Sequence, residues 1–484
     1  MNIRQLKKGC FLAVICYFVL AALLWAIAHE QFRFRDETTA MVTALDPVGE
    51  LVQGVEVRQP FSANGDEIRS VSLLLSTYDR MNSSHLTVQI EDESGTVLGS
   101  RVINAEEIAD NSVWNIAFDP AISVERDQRC YLVLFSEDAM PGNAVTAWWG
   151  NTVSAARTEV ALNVPEDEQV RVNGVAAEGK LCCAFQDREY LWFGTVYWPI
   201  AVGLGAAFAV FCAILVQRAK LGKSSAVLRL INAFQRYNFL MRQLIGRDFK
   251  TKYKRSILGV FWSFLNPLLT MTVQYIVFST LFRSDIPNFP LYLLSGIVCF
   301  NFFNEASSMS LMSIVGNAPL ITKVYVPKYI YPLSRVLSSS VNLMLSMIPL
   351  FAVMLLTGAP VRPALLLLPF GLICLMALSL GIGLFLSTTM VFFRDTQFLW
   401  GVVSMLWMYA TPIFYPESII GEQFMTLYKC NPLYHIIRFI RIVLIDGISP
   451  EPKAYALCLI ASFVPLVIGA VVFKKNQDKF ILNL

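Results

Sequence analysis

The sequence predicts a polytopic α-helical membrane protein of about eight transmembrane helices, with an extracytoplasmic all-β sandwich or jelly-roll domain inserted after the first. Three observations predict it. Of 484 residues, 55% are hydrophobic and only 15% charged, where soluble domains run near a quarter charged; much of the surface must therefore face lipid. Uncharged stretches of membrane-crossing length recur along the chain. The charge is also divided, because residues 37–189 hold 25 Asp and Glu against 10 Lys and Arg, so the bland total of +3 hides an acidic block inside a basic, apolar chain.

The spans come first. A hydrocarbon core of about 30 Å needs roughly 20 apolar helical residues. Cys10–Ala28 is uncharged and follows Arg4, Lys7 and Lys8, which hold its start in the cytoplasm. Ala26-Ile27-Ala28 could be a signal-peptidase site, but the apolar run is long for a signal peptide and reads as an uncut anchor. Leu191–Val216 is a second uncharged span and returns the chain to Arg218, Lys220 and Lys223. Further spans are expected at about 257–282, 290–313, 334–357, 364–390, 397–415 and 454–473. The basic clusters 247–255, 323–335 and 474–479 then share the N-terminal side, with both termini cytoplasmic. The expected division is an anchor at 1–29, the β-domain at 30–190, a second anchor at 191–216, a connector with an interfacial helix at 217–255, and a six-helix core at 256–484.

Between the two anchors the chain alternates apolar and polar residues, as in Val71–Leu75, Leu86–Ile90 and Tyr131–Phe135. Turn residues separate these runs at Asn64-Gly65-Asp66, Glu93-Ser94-Gly95 and Pro141-Gly142-Asn143. Short strands at even spacing predict a sandwich or jelly roll. Cys130 could bridge to Cys182 or Cys183, or all three could be buried thiols; the second is the plainer reading.

Catalytic grammar is missing. Gly222-Lys223-Ser224 resembles the end of a phosphate-binding loop, but position 217, where that loop needs glycine, is Gln. There is no Gly-x-Ser-x-Gly, no His-Glu-x-x-His, and no metal-ligand spacing among three scattered histidines. No cofactor and no nucleic-acid partner is expected of this chain.

Residues 226–249 carry Val227, Leu230, Ile231, Phe234, Met241, Leu244 and Ile245 at helical spacing, with Arg229, Arg236, Arg242 and Arg247 on the other faces. Such a helix lies in the headgroup region. It runs into Arg247, Lys250, Lys252, Lys254 and Arg255, then Leu258-Gly259-Val260-Phe261-Trp262 and Pro267. This opening resembles the permease subunits of ABC exporters for O-antigen, teichoic acid and capsular polysaccharide. The inside loop with Asn317, Leu320, Lys323, Tyr325, Pro327 and Lys328 is similar to the family's ATPase-docking segment, and Arg394-Asp395 to its second inside turn. Asn431-Pro432-Leu433 with Ile436, Ile437, Arg438 and Arg441 resembles its outward re-entrant gate. The likeness covers about 220–484; residues 1–219 depart from it, since typical members lack the anchor pair and outside domain.

The resemblance implies a permease in the bacterial cytoplasmic membrane that moves a lipid-linked polysaccharide outward. ATP and Mg would be held by a separate ABC ATPase dimer, and a second copy of this chain would complete the pore. Trp262, Phe264, Tyr275, Trp400, Trp407 and Tyr409 are the expected polymer-channel aromatics, against the alternative that they pack between helices or sit at interfaces. His435, Arg438 and Arg441, three apart, would form a stripe for a lipid diphosphate, against simple snorkelling. Of Trp148 and Trp149 one would pack in the β-domain core and the other be free to stack on a sugar. Two other classes fit less well. A membrane-embedded glycosyltransferase or polymerase would need clustered carboxylates, and Asp248, Glu305 and Asp395 are scattered. An envelope sugar sensor would need a cytoplasmic output domain. Glu305 within a span should face a cavity or partner, unless it lies at a helix end.

Overall fold

The computed structural model describes residues 3–155, 158–223, 225–254, 258–282, 288–323, 326–417 and 420–483. The chain divides into two compact units, Phe32–Val196 and the pair of segments Met1–Gln31 and Tyr197–Leu484.

The first unit is a sandwich of two antiparallel sheets. One is centred on Glu67–Ser76, which pairs with Cys183–Tyr190, Ser112–Ser123 and Thr146–Gly150. The other runs in the order Val175–Ala176, Arg171–Val172, Glu56–Ser62, Arg129–Phe135, His85–Asp92 and Val97–Asn104. The two-residue period decides which side chains go inside. Leu86, Val88 and Ile90 are fully buried while Thr87 and Gln89 turn outward, and they join Val71, Leu73 and Leu75 of the facing sheet in one core. Cys130, Cys182 and Cys183 are free thiols; burial pushes Cys130 up to about 11 and Cys182 up to about 12, which makes them poor nucleophiles at neutral pH.

One turn of this unit is held by a carboxylate. Tyr78 and Asp79 sit consecutively in left-handed backbone, φ 57° and 55°, which costs non-glycine residues energy and needs external support. Asp110 provides it, accepting from the Ser76 hydroxyl at 2.6 Å and the Thr77 N–H at 2.6 Å. The Ser76 hydroxyl first, then the neighbouring backbone N–H groups, hold the Asp110 carboxyl at about 2, against an ordinary 3.8. A depressed folded-state value places the stabilisation above the ordinary value and removes it as pH falls toward 2. Hydrogen-exchange protection across 76–82, taken relative to the intrinsic exchange rate at each pH, should therefore fall between about pH 4 and 2, and Asp110→Asn should flatten that dependence.

The second unit is helical. Its helices are α1 (Ile3–Arg33), α2 (Trp192–Lys220), α3 (Ala226–Tyr253), α4 (Trp262–Phe282), α5 (Phe289–Leu311), α6 (Ala318–Ile321), α7 (Ile330–Leu356), α8 (Leu368–Phe392), α9 (Thr396–Tyr409), α10 (Glu422–Lys429), α11 (Pro432–Arg441), α12 (Pro452–Asn476) and α13 (Phe480–Asn483). Among the described residues six helical stretches are long and apolar enough to cross a membrane: Ile3–Arg33, Trp192–Lys220, Gly259–Ser279, Ile330–Leu356, Pro363–Phe392 and Pro452–Asn483. The anchors pair through aromatic contacts. The Tyr17 hydroxyl donates to Ala201 O at 2.9 Å, Tyr197 donates to Ala21 O at 2.7 Å, and Trp25 stacks on Tyr197.

Two expected spans differ from that set. The expected span at 397–415 is not one helix: α9 has 14 residues, about 21 Å at 1.5 Å per residue, short of a ~30 Å core. The chain then turns, and α10 and α11 complete the segment. The 290–313 span is α5, long enough at 23 residues but rich in Asn and Ser and carrying Glu305. Its polarity is tolerated because most of it is buried against α4, α7 and α8, where neighbours rather than lipid meet its polar groups. The tightest crossing is α8 against α12. A Cβ on Gly381 would come within 2.5 Å of the Leu466 backbone, and one on Gly469 within 2.0 Å of Gly381 O, so only glycine permits this approach.

Candidate functional site

The helical unit concentrates polar chemistry in three places. At one, α3 meets α5 and α7. Ser225 caps the start of α3 by accepting from the Leu228 N–H at 3.2 Å, and its stripe residues Met241 and Leu244 are buried. The last turns of α3 bring a chain of ion pairs to the core helices. The side chain of Asp248 is only 5% exposed, with Arg335 of α7 at 2.7 Å and Arg247 at 3.2 Å. Lys252 reaches Glu305 of α5 at 2.8 Å, and Asn342 of α7 donates to the same carboxylate at 2.7 Å. The Tyr253 hydroxyl donates to Asn342 Oδ1 at 3.0 Å. These groups border a cavity of about 680 Å³. Glu305 thus has partners, as its depth required. Of the interfacial-helix residues, Lys250 and Lys254 are exposed, and Arg255 lies outside the described residues. In the sequence Asp248 counted only as a scattered carboxylate, and its pairing with Arg335 was not foreseen; an acid among six basic residues at 242–255 was the signal available.

The second place gathers the segment between α5 and α7. Ile314, Ile321, Val326, Ile330 and Tyr331 share one apolar cluster with Met241 and Leu244 of α3, Leu384 and Val391 of α8, Phe473 of α12 and Phe480 of α13. Asn317 is buried and donates to Ser313 O at 2.7 Å, Leu320 packs on the cluster, and Pro327 is half-buried. Lys323, Arg394 and Asp395 are exposed. Lys328 is not: its ammonium donates to Gln477 O and lies over the Phe480 ring, which makes it an internal tie to the C-terminal helices. Tyr325 lies outside the described residues.

The third place is the turn between α9 and α11. Asn431 accepts from its own helix start at Leu433 N–H (3.0 Å) and from Trp407 Nε1 (2.9 Å), and it donates to Thr411 Oγ1 (2.9 Å) and Ala410 O (3.2 Å). A single side chain therefore caps α11 and fixes the end of α9. The expected cationic stripe does not hold together. Arg441 is buried; it donates to Pro412 O at 2.6 Å, Ile413 O at 3.1 Å and Tyr292 O at 3.2 Å, with its guanidinium 3.4 Å from the Tyr292 ring centre. His435 is bonded to Lys429 O at 2.7 Å, and Arg438 is exposed beside Glu417 at 3.9 Å. Only Arg438 keeps its charge open to an outside anion.

The channel aromatics divide in the same way. Trp400 is buried with its N–H on Ser308 Oγ at 3.2 Å, and Phe303 packs edge-on against both Trp400 and Trp407. These two indoles hold α9 to α5, and Trp407, half-buried, also borders a cavity of about 1050 Å³ with residues of α9, α10 and the start of α11. Phe264 is half-buried against Phe261, while Trp262, Tyr275 and Tyr409 are 45%, 39% and 59% exposed. In the β-unit Trp149 joins the core cluster and Trp148 does not. Both are half-buried; Trp149 packs on the core and leaves no room for a Cβ at Gly179, 2.5 Å away.

Among the described residues no group of three or more His, Cys, Asp or Glu is placed to hold a metal ion. Gly222, with φ 66°, closes α2 in left-handed geometry, the ordinary way to stop a helix.

Comparison with known proteins places this arrangement. The family pattern described as ABC-2 type transporter matches residues 240–445. The chain is 30% identical over 244 residues to the O-antigen export system permease protein RfbA of Klebsiella pneumoniae, covering 50% of this chain and 93% of that protein. It is 26% identical over 256 residues to RfbA of Myxococcus xanthus, 52% and 98% covered, and 22% identical over 257 residues to the polysialic acid transport protein KpsM of Escherichia coli, 52% and 99% covered. Nearly the whole of each relative is used up by about half of this chain, leaving them no length for a counterpart of the rest.

Proposed function

The chain belongs to the ABC-2 type transporter family as a permease subunit, not an enzyme, and from that premise we propose that it exports a lipid-linked surface polysaccharide through the cytoplasmic membrane. The observation that carries this is the near full-length match to O-antigen export permeases. Nucleotide belongs on a partner ATPase, as the family implies. In our reading that partner is a dimer facing the 314–331 cluster, two copies of this chain form the pore, and both termini are cytoplasmic. The Phe32–Val196 unit then lies outside the cytoplasm. Trp262, Tyr275 and Tyr409 present aromatic surface that a second copy would enclose, suited to weak, repeated stacking on sugar rings.

Two measurements test this. Cells lacking the chain should accumulate the lipid-linked polymer on the inner face and lose it from the surface; normal surface polymer would refute the reading. For docking, Lys323→Glu should cut export at least tenfold and weaken co-purification of the ATPase, with unchanged membrane content. Lys328→Gln should instead lower the melting temperature, since that ammonium is already used within the chain. Loss of ATPase binding without loss of stability in Lys328→Gln would reverse the two assignments.

A further inference from the structure

The Phe32–Val196 unit contains a cleft of about 510 Å³ at the seam between its two sheets, within the size range of small-ligand pockets. We propose that it binds a short, uncharged oligosaccharide segment, an inference that rests on the polysaccharide reading above and gives it a site.

The apolar lining includes Phe61 of one sheet, half-buried and stacked on the buried Phe185 of the other, 3.8 Å between ring centres and 14° between planes, so Phe61 supplies what aromatic surface the cleft offers. The polar lining is two ion pairs converging on one short turn: Arg129 with Asp167 at 3.1 Å, and Lys180 with Glu168 at 2.5 Å. Two cations and two carboxylates in one cleft leave it without net charge, so it offers no net attraction to a charged ligand of either sign. They suit hydroxyl groups, each of which donates to a carboxylate and accepts from a cation. Because Asp167 and Glu168 are 64% and 48% exposed, their pairs are worth little in water and exchange readily for ligand contacts. An apolar ring face with hydroxyl-bearing edges describes a pyranose, and that is the ligand class this lining fits.

The cleft is also prebuilt. Gln59, 2% exposed, uses its whole amide as a clamp. Its Oε1 accepts from Leu181 N–H at 2.7 Å, and its Nε2 donates to Glu168 O at 3.0 Å and Pro60 O at 2.8 Å. That ties the turn carrying both carboxylates to both sheets, so little ordering remains to be done on binding. Trp148 and Trp149 lie in the neighbouring strand, where Trp149 pairs in register with Leu181 of the cleft wall. Neither is among the residues that line the cleft.

The test uses the full chain in lipid nanodiscs. The probes are oligosaccharides of two to four sugars released by mild acid from the producing cell's own surface polymer, with binding read by saturation-transfer NMR. Saturable binding at millimolar affinity or better is expected, weakened at least tenfold in Asp167→Asn/Glu168→Gln and in Ser62→Trp, which fills the mouth without removing a bond. Arg126→Gln, an exposed change elsewhere on the unit, should leave binding unchanged. Unaltered hydrogen exchange in Glu56–Ser62 would show that the variants fold. Wild-type binding that survives both cleft variants overturns this assignment and leaves the export reading standing. No wild-type binding up to about 10 mM, with export of the polymer still dependent on the chain, overturns it as well. Export that is independent of the chain overturns the reading beneath it.

Discussion

Arg441→Met should destabilise the helical unit by roughly 3–5 kcal/mol, one of the two largest single-residue effects expected outside its apolar core. The side chain is 7% exposed and gives three hydrogen bonds to the carbonyls of Pro412, Ile413 and Tyr292. Methionine fills much of the space but leaves those acceptors in an apolar surround, at about 1–3 kcal/mol for each that water cannot reach. The cation over the Tyr292 ring is lost as well. Gly296 belongs to the same arrangement, because a Cβ there would sit 2.7 Å from Arg441 Nη2. By contrast Arg438→Gln, at an exposed ion pair of 3.9 Å, should change stability by no more than about 1 kcal/mol. Thermal melting in detergent separates the cases. If Arg441→Met melted like wild type yet abolished export, the residue would be acting on substrate, as the sequence stripe had it.

That stripe shows how the sequence was legible and where it misled. Residues three apart on a helix turn about 300°, so each step drifts about 60°. Two steps carry Arg441 about 120° from His435 and into the buried face. The aromatic list divides for the same reason. Trp400 and Trp407, seven apart, share one face of α9 and both turn inward, whereas Tyr409, two residues on, lies about 160° away from Trp407 and is exposed. Helical phase was available in the sequence and would have separated packing residues from surface ones. The β-strands were easier, since a period of two leaves no drift: Leu86, Val88 and Ile90 went inside together. What no local pattern contains is pairing across the chain. Asp248 with Arg335, Lys252 with Glu305, and Gln59 with Leu181 each join residues dozens of positions apart. Their charges and amide were visible, but their partners are decided by how the elements pack.

The pairing of α3 with α7 supports the second large prediction. Arg335→Leu should cost roughly 3–5 kcal/mol, because it strands the Asp248 carboxylate with only Arg247 of its own helix for company. Asp248 and Arg335 are 5% and 19% exposed in their side chains, so solvent does little to replace the lost partner. Lys252→Gln should cost no more than about 1 kcal/mol, since Lys252 is 44% exposed and Glu305 keeps the Asn342 amide at 2.7 Å. The double variant Asp248→Leu/Arg335→Leu should recover most of the loss, as a buried pair replaced by apolar side chains is often no worse than the pair itself. The functional consequence differs from the stability one. Met241 and Leu244 of α3 pack in the same cluster as residues of the 314–331 segment, so the ion pair fixes this helix between that segment, the ATPase side in the reading proposed above, and the core. In the double variant, with stability restored and the directional tie gone, the complex should go on hydrolysing ATP while surface polymer falls. A double variant that exports as well as wild type would show that packing alone holds α3 in place, and that the charges there serve stability only.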